Sequence, residues 1–284
     1  MSQNEQGILW VVATPIGNLS DMSPRAIRTL ESADLVLAED TRHTKGLLRH
    51  FEIQTPLKSL HEHNEEARTP ALLAEIQGGL KVAMVTDAGT PAISDPGGRF
   101  VSALLDEGIK VSPIPGPTAL VAALSVAGLA PMDEGITFYG FVPHKGASRK
   151  KAIARACATE GSVVLFEAPH RITQTLSELA EHQPQRKAVV CRELTKMHEE
   201  VRKGTLEDLA AWSQKGLKGE IVIVLDRYVR ERQQPGEEEV DNALNKCLAA
   251  GLSSRDASTA VAALLEKKKR PVYQRCMELQ KAEE

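Results

Sequence analysis

The side chains able to do chemistry stand in short clusters, each behind a strand-like run. Glu39-Asp40-Thr41-Arg42-His43 sets acid, guanidinium and imidazole side by side, and general acid–base catalysis draws on such groups. Such a cluster can face a cleft, or it can be a helix start capped by Asp40 or Thr41 with an exposed ion pair. His61-Glu62-His63-Asn64 follows the next run. If this stretch is extended, His61 and His63 share a face, as a metal site needs. No third ligand has an evident spacing, so substrate contact or helix capping by Asn64 fits better. Phe166-Glu167-Ala168-Pro169-His170-Arg171, Arg192-Glu193-Leu194-Thr195-Lys196 and Lys218-Gly219-Glu220 group further charges at strand ends. Together they suggest one functional edge, although any one of them alone reads as a solvated loop.

Two proline- and glycine-rich loops carry the binding chemistry. Lys81–Thr86 opens into Asp87-Ala88-Gly89-Thr90-Pro91-Ala92-Ile93-Ser94-Asp95-Pro96-Gly97, and Val111–Ile114 opens into Pro115-Gly116-Pro117-Thr118-Ala119. Glycine permits close backbone approach and proline stiffens the turn. A strand that ends in such a loop and leads to a helix is how an open α/β sheet makes a ligand crevice. A third loop, Ala13-Thr14-Pro15-Ile16-Gly17-Asn18, follows the first strand. Neither G-x-G-x-x-G nor G-x-x-x-x-G-K-[ST] occurs, which disfavours dinucleotide and P-loop readings.

Strand-like and helix-like segments alternate to hold these loops. Ile8–Ala13, Asp34–Ala38, Leu57–Leu60, Lys81–Thr86 and Val111–Ile114 read as strands with helices between, including one capped by Asp95-Pro96 that runs to Asp106. That alternation implies a mostly parallel sheet. After an apolar connector at Thr118–Val126, a second series of strands (Ile136–Val142, Ser162–Glu167, Ala188–Arg192, Ile221–Leu225) alternates with helices. The expected organisation is an α/β domain at 1–117, a second at 118–230, a polar linker at 231–239 and a small helical block at 240–284, which includes a capping box at Ser253-x-x-Asp256.

Composition narrows the class. The chain has 284 residues and a net charge of −3, so overall charge does not announce a nucleic-acid binder. Basic residues cluster locally at His144, Lys145, Arg149, Lys150, Lys151 and Arg155, and again at Lys267, Lys268, Lys269 and Arg270. One run on a cleft rim and one in a helical block fit contacts to a phosphate backbone. Aromatic residues are 4%, too few for a stacking platform. Four scattered cysteines suit a reducing compartment. No apolar stretch is long enough to span a membrane, and the expected location is the cytoplasm.

The order of the motifs adds a resemblance. Ala13 to Leu19 with Asp21, Leu37 to Arg42, His61 to Glu65, Thr86 to Gly97, Pro113 to Ala119, Pro169 to Ile172 and Arg192 to Lys196 resemble the ribosomal RNA small subunit methyltransferase I family. That family is a branch of the tetrapyrrole methylase superfamily. Gly89-Thr90-Pro91 stands where the superfamily has G-D-P. The resemblance implies two α/β domains of the class III methyltransferase type with a small C-terminal helical domain. It implies S-adenosyl-L-methionine as donor, bound in the cleft between the domains, and a homodimer. The implied acceptor is the ribose 2′-hydroxyl of a cytidine in the decoding region of 16S rRNA, within the small ribosomal subunit. On this resemblance Pro15, Asp87, Gly89, Thr90, Pro91, Ile93, Pro117, Thr118 and Ala119 hold the donor from the first domain. Ala168, Leu194 and Gly219 close on it from the second. Asp40, His43, His61 and Glu193 are candidates to take the hydroxyl proton. Arg42, Arg171 and Arg192, with Lys145, Arg149, Lys150, Lys267, Lys268, Lys269 and Arg270, are candidates to hold RNA. The rival expectations are methyl transfer to a tetrapyrrole-like small molecule and a non-catalytic ribosome-binding factor.

Overall fold

The computed structural model describes residues 7–129, 135–228 and 236–283. The chain divides into two compact units, Met1–Tyr228 and Val229–Glu284. Residues 231–235 of the expected linker lie outside the described residues. Glu237–Glu239, also assigned to that linker, instead form the first turn of a helix, where acidic side chains suit the positive end of the helix dipole.

The first unit begins with β1 (Ile8–Val12), α1 (Pro24–Ser32), β2 (Leu35–Ala38), α2 (Thr41–His50) and β3 (Leu57–Ser59). It continues with α3 (Glu65–Gln77), β4 (Lys81–Val85), α4 (Gly98–Asp106) and β5 (Lys110–Ile114). These strands form a five-stranded sheet, β3-β2-β4-β1-β5, in which every pairing is parallel. Helices cover both faces, so β2 buries all four residues of Leu-Val-Leu-Ala, as a doubly covered parallel strand must. Ser23 caps α1 by accepting from the Ala26 N–H, with Pro24 in the first turn.

After α5 (Ala119–Val126) come β6 (Ile136–Phe141), α6 (Gly146–Ala158), β7 (Ser162–Glu167), α7 (Ile172–His182) and β8 (Lys187–Arg192). β9 (Glu200–Thr205), α8 (Leu206–Ser213) and β10 (Ile221–Leu225) complete the unit. The second sheet runs β6-β7-β10-β8-β9. It is mixed: β10 lies antiparallel to both β7 and β8, and β9 is antiparallel to β8. Because β10 runs backwards, its first residues stand beside the ends of β7 and β8, with Ile221 opposite both Glu167 and Arg192. β9 has no expected strand behind it. Its Glu-Val-Arg-Lys-Gly-Thr lacks an apolar run, because an edge strand buries little.

α5 and Ile16 pack on one face of the second sheet, in a core with Val164, Val189, Leu194, Val222 and Val224. The two α/β halves therefore share a core and form one unit. The second unit holds α9 (Glu237–Ala249), α10 (Ser254–Leu264) and α11 (Lys269–Glu283). They close over Val240, Leu244, Ala257, Val261, Val272 and Cys276. Ser253 caps α10, accepting from the Asp256 N–H at 3.2 Å. The Asp256 carboxylate returns to the Ser253 hydroxyl at 2.6 Å.

The helix expected from Asp95-Pro96 starts later. α4 begins at Gly98 with Gly97 as its cap at φ 114°. That angle favours glycine, and a Cβ there would also press on the flexible end of the Met84 side chain, 2.7 Å from its sulfur. Asp95 is thereby released from capping.

Candidate active site

Three loops leave the carboxyl edge of the first sheet and are fastened to one another. The Thr14 N–H donates to the Gly89 carbonyl at 2.9 Å, and the Gly89 N–H donates back to Thr14 at 3.0 Å. The Thr14 hydroxyl donates to the Thr86 carbonyl at 3.1 Å, and the Thr90 hydroxyl to the Pro117 carbonyl at 3.3 Å. Across from them stand Phe141, the Phe166–Pro169 turn, Cys191, Leu194 and the first residues of β10. A cavity of about 450 Å³ lies between, a size that suits a small cofactor.

The walls of this cavity differ in character. The first sheet contributes Glu39, Asp87 and Asp95, while the second contributes Phe141, Phe166, Leu194 and Val222 as an apolar face, together with Glu167 and Glu220. The Thr86 hydroxyl donates to Glu39 Oε2 at 3.0 Å. Burial, followed by the charge of Glu39, pushes the Asp95 carboxyl up to about 6. Burial also pushes the Cys191 thiol up to about 11, so that thiol is an apolar wall and no nucleophile. Ala92, Ser94, Glu193 and Thr195 all have positive φ, between 51° and 67°. Each such angle costs on the order of 1–3 kcal/mol for a residue with a side chain, and all four border the cavity or its rim.

Two hollows adjoin the cavity. The first is lined by Pro15, Gly17, Arg42, His43 and Lys196, and shares Asp87 and Glu220 with it. The second is lined by His61, His63, Glu65 and Arg99, and shares Glu39, Ser94 and Asp95. In the second hollow Asn64 Oδ1 accepts from the His61 N–H at 2.9 Å, which leaves its amide nitrogen 3.0 Å from His61 Nε2. His61 thus accepts at Nε2 and carries its proton on Nδ1, which is buried without a partner. His61 and His63 lie 6.0 Å apart between ring centres. Among the described residues no group of three or more His, Cys, Asp or Glu could hold a metal ion.

Of the residues expected to hold a donor, Asp87, Gly89, Thr90, Ile93, Thr118, Ala119, Ala168 and Leu194 line the cavity itself. Pro15 lines the first hollow, and Pro117 lines a smaller one beside Gly116 and Thr195. Pro91 is buried under its loop, and Gly219 immediately precedes the cavity residue Glu220. Glu39, Thr86, Asp95, Phe141 and Phe166 also line the cavity, and the motifs do not single them out as donor contacts. Asp95 is hidden by its resemblance to a helix cap, and the two phenylalanines by looking like core strand residues.

The four candidate proton acceptors are scattered. Asp40 caps α2, accepting from the Arg42 N–H at 2.8 Å, and pairs with the Arg42 guanidinium at 2.6 Å. Those Arg42 contacts hold its carboxyl well below the usual range, which makes it a poor base. His43 and His61 line separate hollows. Glu193 accepts from the Glu220 N–H and from Lys196 Nζ, both at 2.9 Å, and these bonds lower its pKa in that order. Asparagine caps a helix about as well as aspartate. Asp40→Asn is therefore expected to keep kcat/KM for methyl transfer within about twofold of wild type, as single-turnover assays would check.

Arg149 is a correction. Its place in a basic run implies contact with RNA, but it is 3% exposed. Its guanidinium is fully engaged inside the protein, with Glu178 at 2.9 Å, Thr175 Oγ1 at 2.7 Å and the Pro143 carbonyl at 3.2 Å. Its neighbours Lys145 and Lys150 are exposed. Arg171 pairs with buried Glu167 at 2.7 Å, and Arg192 pairs with Glu200 at 3.1 Å. Both are mostly buried and committed to protein partners. Lys267 is half-buried, and Lys268, Lys269 and Arg270 are exposed at the α10–α11 turn.

This arrangement coincides with that of known proteins. Residues 9–210 match the family model of the tetrapyrrole (corrin/porphyrin) methylases. A ribosomal RNA small subunit methyltransferase I from Synechocystis sp. is 44% identical over 277 residues, covering 96% of this chain and 99% of its own.

The chain belongs to the ribosomal RNA small subunit methyltransferase I family.

A second member of the family, from Halalkalibacterium halodurans, is 40% identical and covers 95% of each chain. The fold is that of a Thermus thermophilus uroporphyrin-III C-methyltransferase crystallised with S-adenosylhomocysteine, at TM-score 0.53 and 20% identity over 77% of this chain and 96% of that one. As a member of this methyltransferase family the chain is an enzyme. No helix among its described residues is long and apolar enough to cross a membrane.

Proposed function

We propose that the protein methylates the ribose 2′-hydroxyl of a cytidine in the decoding region of 16S rRNA, with S-adenosyl-L-methionine as donor. The near full-length identity to relatives named for small-subunit ribosomal RNA methylation carries this reading. The residues present fit the donor. Its sulfonium is a permanent cation, and Glu39, Asp87 and Asp95 offer it three carboxyls. Its adenine ring is flat with apolar faces, and Phe141, Phe166, Leu194 and Val222 offer a matching surface. The bound donor supplies an electrophilic methyl group. The protein's own part is to align an incoming hydroxyl in line with that methyl, and positioning of this kind can contribute on the order of 7–11 kcal/mol. The fastened loops of Thr14, Gly89 and Pro117 provide a stiff floor for that alignment. The acceptor sugar enters from one of the adjoining hollows, and the general base is a group within reach of its hydroxyl. On the same reading the enzyme works in the cytoplasm as a homodimer on the small ribosomal subunit.

The exposed cations fit a role for the helical unit in anchoring RNA. Phosphate contacts add affinity without reading sequence. Removal of residues 236–284 is expected to weaken binding to small subunits at least tenfold and to leave donor affinity within about twofold. Filter binding and calorimetry would measure the two. The function itself is tested by incubating the protein with labelled donor and unmethylated small subunits, then mapping the modified nucleotide. Label on a porphyrinoid and none on RNA would replace the present reading with the small-molecule one.

A further inference from the structure

We propose that Asp95 is the catalytic base of the methyl transfer and that donor binding itself switches it on, with the acceptor sugar entering through the His61–Arg99 hollow. This rests on the function proposed above. Glu39, Ser94 and Asp95 are shared by the central cavity and that hollow. Of these, Glu39 already accepts from the Thr86 hydroxyl. The same hydroxyl is also a hydrogen-bond partner of Asp95, and with one proton to give it serves only one of the two carboxyls at a time. Its backbone neighbours Ala92 and Ser94 are held at φ 65° and 67°. Strain of that kind persists only where the surroundings enforce a particular placement. The hollow is also lined by His61, whose Nδ1 is buried without a partner. The Glu65 carboxylate accepts from the Phe100 N–H at 2.8 Å, so that carboxylate is already engaged by the first turn of α4.

Charged groups meet Asp95 from several elements. Glu39 follows β2 and Asp87 follows β4, and both disfavour its ionised form. Glu167 and Glu220 line the cavity from the second sheet. Glu62, Glu65, His61, His63 and Arg99 surround the hollow. Burial and Glu39 leave the free enzyme's Asp95 carboxyl at about 6, near where a base works best. A sulfonium placed among these carboxyls favours the ionised form. Donor binding therefore drives the proton off Asp95 and arms it.

The step balances. A lone pair of the hydroxyl oxygen forms the new O–C bond to the methyl carbon. The C–S bond breaks, and its electron pair stays on sulfur, which becomes a neutral thioether. The hydroxyl proton passes to the Asp95 carboxylate and then to solvent.

Calorimetry at pH 6, in buffers of different ionisation enthalpy, tests the switch without any acceptor. S-adenosylmethionine should release about half a proton per molecule bound. S-adenosylhomocysteine, which shares every other charge but lacks the sulfonium, should release almost none. Asp95→Asn, close in shape, should abolish the difference, weaken S-adenosylmethionine binding by about tenfold and leave S-adenosylhomocysteine binding within about twofold. On small subunits it should lower kcat by about 10²–10⁴. The wild-type kcat/KM should rise with pH through about 6, and the variant should lose that limb. Donor binding without proton release, or a variant with kcat near wild type, overturns the role of Asp95 and leaves the methyltransferase reading intact. Failure of the wild-type protein to bind the donor overturns both.

Discussion

Arg149→Ala should unfold the first unit about 3–5 kcal/mol more readily than wild type. The guanidinium is 3% exposed and reaches Glu178 at 2.9 Å and Glu167 at 3.6 Å, the latter with a fully buried carboxylate. Removing one partner of a buried ion pair strands the other's charge away from water, and that penalty dominates the loss. Glu167 keeps Arg171 at 2.7 Å and the Ala168 N–H at 2.7 Å, which sets the lower end of the range. Lys150→Ala is the control. It removes an exposed charge one residue along the same helix and should change stability by less than about 0.5 kcal/mol. Urea titrations of the two variants give the comparison. Equal midpoints would show that the Arg149 cluster contributes nothing. Glu167 also lines the cavity, so partial loss of donor affinity should accompany the drop in stability.

The second large effect is expected at Gly17. A methyl group there would stand 2.4 Å from Lys196 Cγ, 2.8 Å from Thr195 Oγ1 and 3.1 Å from the Leu194 carbonyl. The loop after β1 belongs to the first half, and residues 194–196 belong to the second. Gly17→Ala therefore wedges apart the two walls of the cavity. Displacement of about 1 Å in a catalytic arrangement can cost on the order of 10²-fold. A fall of that order in kcat/KM is expected, with the far-ultraviolet circular dichroism unchanged. Steady-state kinetics at several donor concentrations would reveal it, and wild-type constants would show that the walls can part freely.

Much of this architecture is legible in the residues. β-branched runs such as Val-Val-Leu in β7 and Ile-Val-Ile-Val in β10 identify buried strands because both faces need cover. The proline- and glycine-rich loops point to the cavity, since stiff turns at strand ends make crevices. The direction of β10 is not readable. An all-apolar strand gives no sign of its partners' orientation, so the reversal that brings Glu220 beside Glu167 emerges only in the fold. Arg149 misleads for a related reason. In sequence it belongs to a basic run, yet helical periodicity turns it inward while Lys150 and Lys151 face water. Asp95 misleads through its neighbour. Asp-Pro is a common helix opening, and only the fold shows that the left-handed turn at Gly97, φ 114°, starts α4 past it. The motif order supplies what chemical reasoning alone does not, namely the family.

The acidic wall of the cavity has a kinetic implication. Carboxyls that line a narrow site draw a small cation inward and push a phosphodiester polyanion away. A charged donor seated first removes part of that repulsion, so the two substrates gain from arriving in that sequence. Added salt then acts in opposite directions on the two association steps near the cavity, weakening the attraction of one and the repulsion of the other.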